Sequence, residues 1–194
     1  MKKTYFLALV LVIANAYAIA QTSPAIQWQK ALGGSYEDYP YSVKQTADGG
    51  YIVAGGAASQ NGDVSGNHGL ADCWIVKLNN SGNIEWQKSL GGSGAEAASS
   101  IQQTSDGGYI IAGGSNSNDG DVSGYHGGIY DYWIVKLNSS GSIEWQKSLG
   151  GSGDEFAKSV EQTTDGGYIV AGQSNSDDGD VSGNHGDYDY WIVN

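Results

Sequence analysis

Short apolar stretches alternate along this chain with polar, glycine-bearing turns, and most of the stretches have a period of two. In residues 143–149, Ile143, Trp145 and Lys147 alternate with Glu144, Gln146 and Ser148, as on a strand with one buried face. The pattern predicts four strands per unit: Trp133–Leu137, Ile143–Leu149, roughly Ala157–Thr163, and Tyr168–Ala171. The last is continuously apolar and is expected to be buried on both faces. Asn138-Ser139-Ser140-Gly141 and Asp165-Gly166-Gly167 are hairpin turns, because glycine accepts the positive φ such turns need. Gly150-Gly151-Ser152-Gly153 breaks the run between the second and third strands, and a long polar loop, 172–186, follows the fourth.

The unit recurs three times. Trp28, Trp86 and Trp145 each open W-Q-K-[AS]-L-G-G-S, and Asp48, Asp106 and Asp165 each sit in Q-T-x-D-G-G-Y-I. Asp63, Asp121 and Asp180 sit in G-D-V-S-G, and Trp74, Trp133 and Trp191 in D-x-W-I-V. The copies lie about 58 or 59 residues apart, with one extra residue between Gly127 and Tyr130. Counted from the tryptophans, the repeats run over about 26–83, 84–142 and 143–194 within a mature region 21–194. Four short strands in a unit of this length predict an all-β fold, a β-propeller of four-stranded blades with about three blades present as a partial ring. The chain enters at a second strand, Ile26–Leu32, and ends in a first, Trp191–Val193. Propellers have about four to eight blades, so the expectation is an N-terminal fragment, ahead of an oligomer or an open stack of sheets.

Composition agrees with many strands and tight turns: 31 Gly, 2 Pro, 6 Trp and 13 Tyr. The net charge is −12, and all 9 basic residues are lysine. An acidic chain without arginine lacks the planar fork that grips phosphates, which argues against nucleic acid and anionic membranes as partners. Residues 1–20 read as a signal peptide. Lys2 and Lys3 lead an apolar run, Tyr5–Ile13, and Ala18-Ile19-Ala20 fits a cleavage site before Gln21. The expected location is therefore secreted or cell-surface after Sec export, with no membrane insertion after cleavage, because the apolar run is too short to span a bilayer.

The six repeated tryptophans, Trp28, Trp74, Trp86, Trp133, Trp145 and Trp191, are expected to be packing anchors, since each buries a large area and recurs in every copy. Two acidic loops supply hard oxygens suited to Ca²⁺: Asn116, Asn118, Asp119 and Asp121 in one, and Asp177, Asp178 and Asp180 in the other. The competing expectation is that these side chains cap backbone turns. His68, His126 and His185, each followed by glycine, are the histidines of the chain. Their repetition follows from the unit without any metal. Cys73 replaces Tyr132 and Tyr190 as a packing variant. The patches unique to one copy are Tyr36-Glu37-Asp38-Tyr39-Pro40-Tyr41 and Asp154-Glu155-Phe156. They read as strand-entry residues, and no catalytic or cofactor-binding residue is assigned.

Tyr109-Ile110-Ile111-Ala112-Gly113-Gly114, followed by Asp131-Tyr132-Trp133-Ile134-Val135 and Trp145, resembles a kelch blade, although the third copy carries Gly172-Gln173 in place of the glycine pair. Leu137-Asn138 with Gly141-Ser142-Ile143-Glu144-Trp145 resembles the repeats of quinoprotein-like propellers, and Thr163-Thr164-Asp165-Gly166-Gly167 resembles part of a sialidase Asp-box. Over Ile26–Val193 the chain is most similar to Gly-rich repeat proteins secreted by Bacteroidota. That resemblance implies type IX secretion cargo at the cell surface, with a C-terminal sorting domain that this chain does not show. The preferred expectation is a binding, adhesion or scaffolding module for an extracellular protein or glycan, beside other blades of the same propeller. The alternatives are an extracellular glycan-active enzyme whose catalytic residues lie in further blades, and a calcium-stabilised structural repeat.

Overall fold

The computed structural model describes residues 23–194, so the expected export segment, 1–20, lies outside the described residues. The described residues form eleven strands and no helix: β1 Asp38–Gln45, β2 Tyr51–Ala57, β3 Asp72–Leu78, β4 Ile84–Leu90, β5 Glu96–Gln103, β6 Tyr109–Ser115, β7 Asp131–Leu137, β8 Ile143–Leu149, β9 Glu155–Gln162, β10 Tyr168–Ser174 and β11 Asp189–Val193. They make three antiparallel meanders, β1-β2-β3-β4, β5-β6-β7-β8 and β9-β10-β11.

The sheets start at a different point of the repeat from the tryptophans. The Gly-Gly-Ser-Gly break carries the chain from one sheet to the next, so the sheet boundaries fall between Leu90 and Glu96 and between Leu149 and Glu155. The stretch 84–142 therefore straddles two sheets. The turns are as expected. At Asp165-Gly166-Gly167, the Thr163 N–H donates to the Gly167 carbonyl at 2.9 Å, and Gly166 takes φ 92°.

Successive sheets stack face to face, with the core between them. Ile52, Ala54, Cys73 and Ile75 of the first sheet meet Ala98, Ile101, Ile111, Trp133 and Val135 of the second. One step on, Ile110, Ala112, Tyr132 and Ile134 meet Ala157, Val160 and Val170, with Trp191 packed against them. The middle sheet buries both faces, and on the first sheet Leu32, from the segment before β1, helps to cover Trp74, Val76 and Leu78 on the outer face, so β3 and β7 are both buried along their whole length.

The tryptophans divide into two kinds. Trp74 and Trp133 are buried in the cores, and their indole N–H groups donate to Gln87 and Gln146 at 2.8 Å. Trp86 and Trp145 lie on the outermost strands and reach across to the next sheet, edge-on to Tyr109 and tilted against Tyr168 with ring centroids 5.7 Å away in both cases. Trp28 makes the same contact with Tyr51 at 5.6 Å. The segment around it, 26–32, thus takes the place of an outermost strand without pairing to any strand among the described residues.

The aspartate of the D-G-G turn has, in the first two copies, a structural role that its spacing did not disclose. Lys77, buried on β3, places its ammonium 2.8 Å from Asp48, 2.7 Å from Glu85 and 3.2 Å from the Leu78 carbonyl. Lys136 repeats this with Asp106 at 2.9 Å and Glu144 at 2.8 Å. Burial pulls both lysines down, but the paired carboxylates outweigh it and hold them above the ordinary lysine range. In the third copy Asn194 stands where the lysine would be.

Candidate functional site

The polar loops that hold the candidate calcium ligands lie as straps on the inter-sheet crossings. In the crossing 91–95, five consecutive backbone N–H groups each meet a side-chain oxygen: Gly91 meets Asp121 at 3.2 Å, Gly92 Glu96 at 2.8 Å, Ser93 Asp119 at 2.7 Å, Gly94 Ser117 at 2.8 Å and Ala95 Asn116 at 2.7 Å. In the next crossing Gly150 meets Asp180 at 3.3 Å, Ser152 meets Asp178 at 2.7 Å and Asp154 meets Asn175 at 2.6 Å. Asn118 and Asp177 accept the Gly124 and Gly183 N–H groups within their own loops. The glycines are needed for space: a Cβ on Gly92 or Gly151 would overlap the aspartate loop lying on it. Every candidate calcium ligand thus has an oxygen committed to a backbone N–H. No group of three or more His, Cys, Asp or Glu among the described residues is arranged to hold a metal ion.

Each histidine lies in the loop before the third strand of its own sheet, and His126 also reaches Asp180 of the next loop at 3.6 Å through Nε2. His68, His126 and His185 face Asp72, Asp131 and Asp189 through Nδ1 at 2.6, 2.7 and 2.9 Å. Asp72 and Asp131 are fully buried, and in each Oδ1 has no hydrogen-bond partner. Burial raises the Asp131 carboxyl above the usual range, the His126 bonds oppose this, and nearby Glu155 adds to it. Cys73 lies in the core, where burial pushes its thiol far up, so it packs as the sequence position suggested.

The residues that differ between copies converge elsewhere. The first strands β1, β5 and β9 lie side by side, β5 against both neighbours. Each sheet has a bulge on its first hairpin: pairing skips from Pro40 to Ser42 and from Ala98 to Ser100, and on β9 it skips Lys158. Tyr41, Ser99 and Lys158 are the extra residues, and all three face one cleft of about 610 Å³ with Tyr39, Ala97 and Phe156. The bulge depends on a small neighbour. A Cβ on Gly55, Gly113 or Gly172 would overlap the carbonyl oxygen of Tyr39, Ala97 or Phe156. A glycine inside an apolar strand was the sequence signal for these bulges.

The cleft is aromatic, with charge at its edge. Tyr39 and Tyr41 are 52% and 60% exposed. Phe156 lies 5.6 Å from Tyr130 between ring centroids, and the Lys158 ammonium sits 5.4 Å from the Phe156 ring centre. Glu37 joins the lining. The two unique patches of the sequence are therefore neighbours in space. They do not form an acid–base pair: Glu155 is buried and accepts from Ser174 at 2.6 Å and Gly151 at 2.9 Å, while Asp154 accepts from the Tyr188 hydroxyl at 3.1 Å. The chain matches no protein-family model and no curated protein.

Proposed function

We propose that the three meanders are blades of a kelch-like β-propeller, exported to the cell surface or beyond, and that the protein is a binding module using the cleft between its first strands. One observation carries the reading: the copies agree in their packing residues and diverge where β1, β5 and β9 meet. Tyr39, Ala97 and Phe156 are equivalent positions, as are Tyr41, Ser99 and Lys158. A repeated scaffold needs identical residues at its seams, whereas a ligand site needs different ones. Half-exposed tyrosines beside a lysine and a carboxylate supply flat apolar faces and hydrogen-bonding edges, the combination that recognises sugars or peptide segments. Export rests on the pattern of residues 1–20, and the scaffolding role on the stacked repeats.

The test is binding of the purified protein to a glycan array and to extracellular proteins, compared with Tyr39→Ala and Tyr41→Ala. Both side chains are more than half exposed, so both variants keep the fold. Binding lost in the variants supports the cleft. Binding unchanged in both variants, or no ligand for the protein, refutes it.

A further inference from the structure

The seam between the second and third sheets buries two carboxyl groups side by side. Asp131 opens β7 and Glu155 opens β9, and both side chains are fully buried. They meet over Gly150 in the crossing: a Cβ added there would overlap Glu155 Oε2 and come 3.0 Å from Asp131 Oδ1. The seam between the first and second sheets builds the same pair from Asp72 and Glu96 over Gly91, so the arrangement belongs to the repeat.

Hydrogen bonds serve three of the four oxygens at the second seam. Glu155 Oε1 accepts from the Ser174 hydroxyl at 2.6 Å, and Oε2 accepts from the Gly151 N–H at 2.9 Å. Asp131 Oδ2 accepts from the His126 backbone N–H and faces His126 Nδ1, both at 2.7 Å. Asp131 Oδ1 has no partner. A buried acceptor without a donor is costly, and two carboxylates this close in a dry seam disfavour each other's charge. The titratable groups around the pair do not supply the missing hydrogen. His126 spends Nδ1 on Oδ2 and turns Nε2 toward Asp180 at 3.6 Å. Tyr125 donates to the Gly128 carbonyl and Tyr132 to the Trp191 carbonyl, while Asp154 accepts from the Ile129 N–H and the Tyr188 hydroxyl. No three His, Cys, Asp or Glu side chains among the described residues come together as metal ligands. A proton on Oδ1 is the smallest group that satisfies the site.

We propose that this pair is a pH-sensitive catch between the second and third sheets: one proton on Asp131 Oδ1 donates to Glu155 Oε2 and bonds β7 to β9. Losing the proton leaves two negative charges facing each other across the seam, one on each sheet. Burial raises the Asp131 carboxyl, Glu155 adds to the rise, and the His126 bonds oppose it. Because the folded value is raised, the catch is fully closed below about pH 4 and opens as pH rises through the folded value.

A pH titration of the side-chain carboxyl carbons by NMR, on the full chain, tests the catch. Asp131 and Glu155 should respond in one step with a midpoint above about pH 5, against about 3.9 for an ordinary aspartate. In Glu155→Gln the side-chain amide offers Asp131 a hydrogen without a proton from solvent, so the Asp131 midpoint should fall below about pH 4. The Gly151 N–H, which lies between the sheets, should lose protection from hydrogen exchange above the midpoint, and should keep it in Asp131→Asn, whose amide hydrogen replaces the proton. An Asp131 midpoint at or below about pH 4 in the unaltered protein overturns the proposal. So does a Glu155 signal that does not move at the Asp131 step, a result that requires no variant to fold. Equal protection of Gly151 on both sides of the midpoint overturns it as well. A midpoint that falls on adding calcium chloride overturns it too, since the pair then takes a metal ion in place of the proton.

Discussion

Trp133→Ala and Trp145→Ala remove the same side chain from neighbouring strands of one sheet, and the two should differ clearly in cost. Trp133 is 1% exposed, lies between the first and second sheets, and donates its indole N–H to Gln146 at 2.8 Å. A buried tryptophan covers up to about 250 Å². At about 25 cal/mol per Å² the upper bound for burying it is near 6 kcal/mol. Measured truncations of this size cost about 3–5 kcal/mol, and the lost hydrogen bond adds about 1 kcal/mol. Trp133→Ala is therefore expected to cost about 4–6 kcal/mol, a large part of the roughly 5–15 kcal/mol typical of a domain. Trp145 is 40% exposed and keeps mainly its contact with Tyr168 at 5.7 Å between centroids, so its removal should cost about 2 kcal/mol. Guanidinium unfolding followed by far-ultraviolet circular dichroism measures both, independently of tryptophan emission. Equal costs would refute the argument that seam burial, not membership of a repeated motif, sets each tryptophan's contribution.

Three further outcomes follow from the seams and turns. Gly151→Ala should lower stability by about 2–4 kcal/mol by displacing the strap loop, whereas Gly166→Ala, with open space around it and φ 92°, should cost only about 1 kcal/mol of backbone strain; denaturant midpoints compare them. Asp131→Asn should raise the melting temperature at pH 7, because an amide in the buried site carries no charge while its oxygen still accepts from His126. The raised Asp131 carboxyl means that the folded state binds the extra proton. The stability this residue contributes is therefore greatest below about pH 4 and falls as pH rises through the folded value, so the gain from asparagine should vanish near pH 4. Lys136→Met should cost only about 1–2 kcal/mol at pH 7, since Asp106 and Glu144 are 57% and 45% exposed and regain water. Bonds from Thr104, Gly108 and Lys136 hold Asp106 well below the usual carboxylate range. Its stabilisation is present above about pH 4 and lost as pH falls through the lowered value, so the lysine variant should show a shallower acid transition in a pH titration of melting temperature.

The amino-acid sequence by itself determined the strands, the turns and the repeat. Period-two alternation reports which face a strand buries, and Asp-Gly-Gly and Gly-Gly-Ser-Gly mark where the backbone must turn or pass close to another chain segment. These are local properties, and β7, β8 and the D-G-G hairpins lie within a few residues of where the pattern put them. The packing role of Trp74 and Trp133 was legible for a related reason, since a large apolar residue recurring on the same face of every copy needs a neighbour to cover it.

The grouping of strands into sheets was decided by tertiary structure. The crossing 91–95 resembles any glycine-rich turn until the oxygens of Asn116, Ser117, Asp119 and Asp121, some 21–30 residues further on, are seen to meet its N–H groups. The same long-range pairing lays Asn116, Asp119, Asp121, Asp178 and Asp180 across the crossings. It also made the cleft: Tyr41, Ser99 and Lys158 are far apart in the chain, and they share a surface because the bulges opposite Gly55, Gly113 and Gly172 aim them there and the stacking of sheets brings their strands together. Composition and spacing state what each segment needs to bury. Which partner buries it depends on contacts between distant segments, and those exist only once the sheets have stacked.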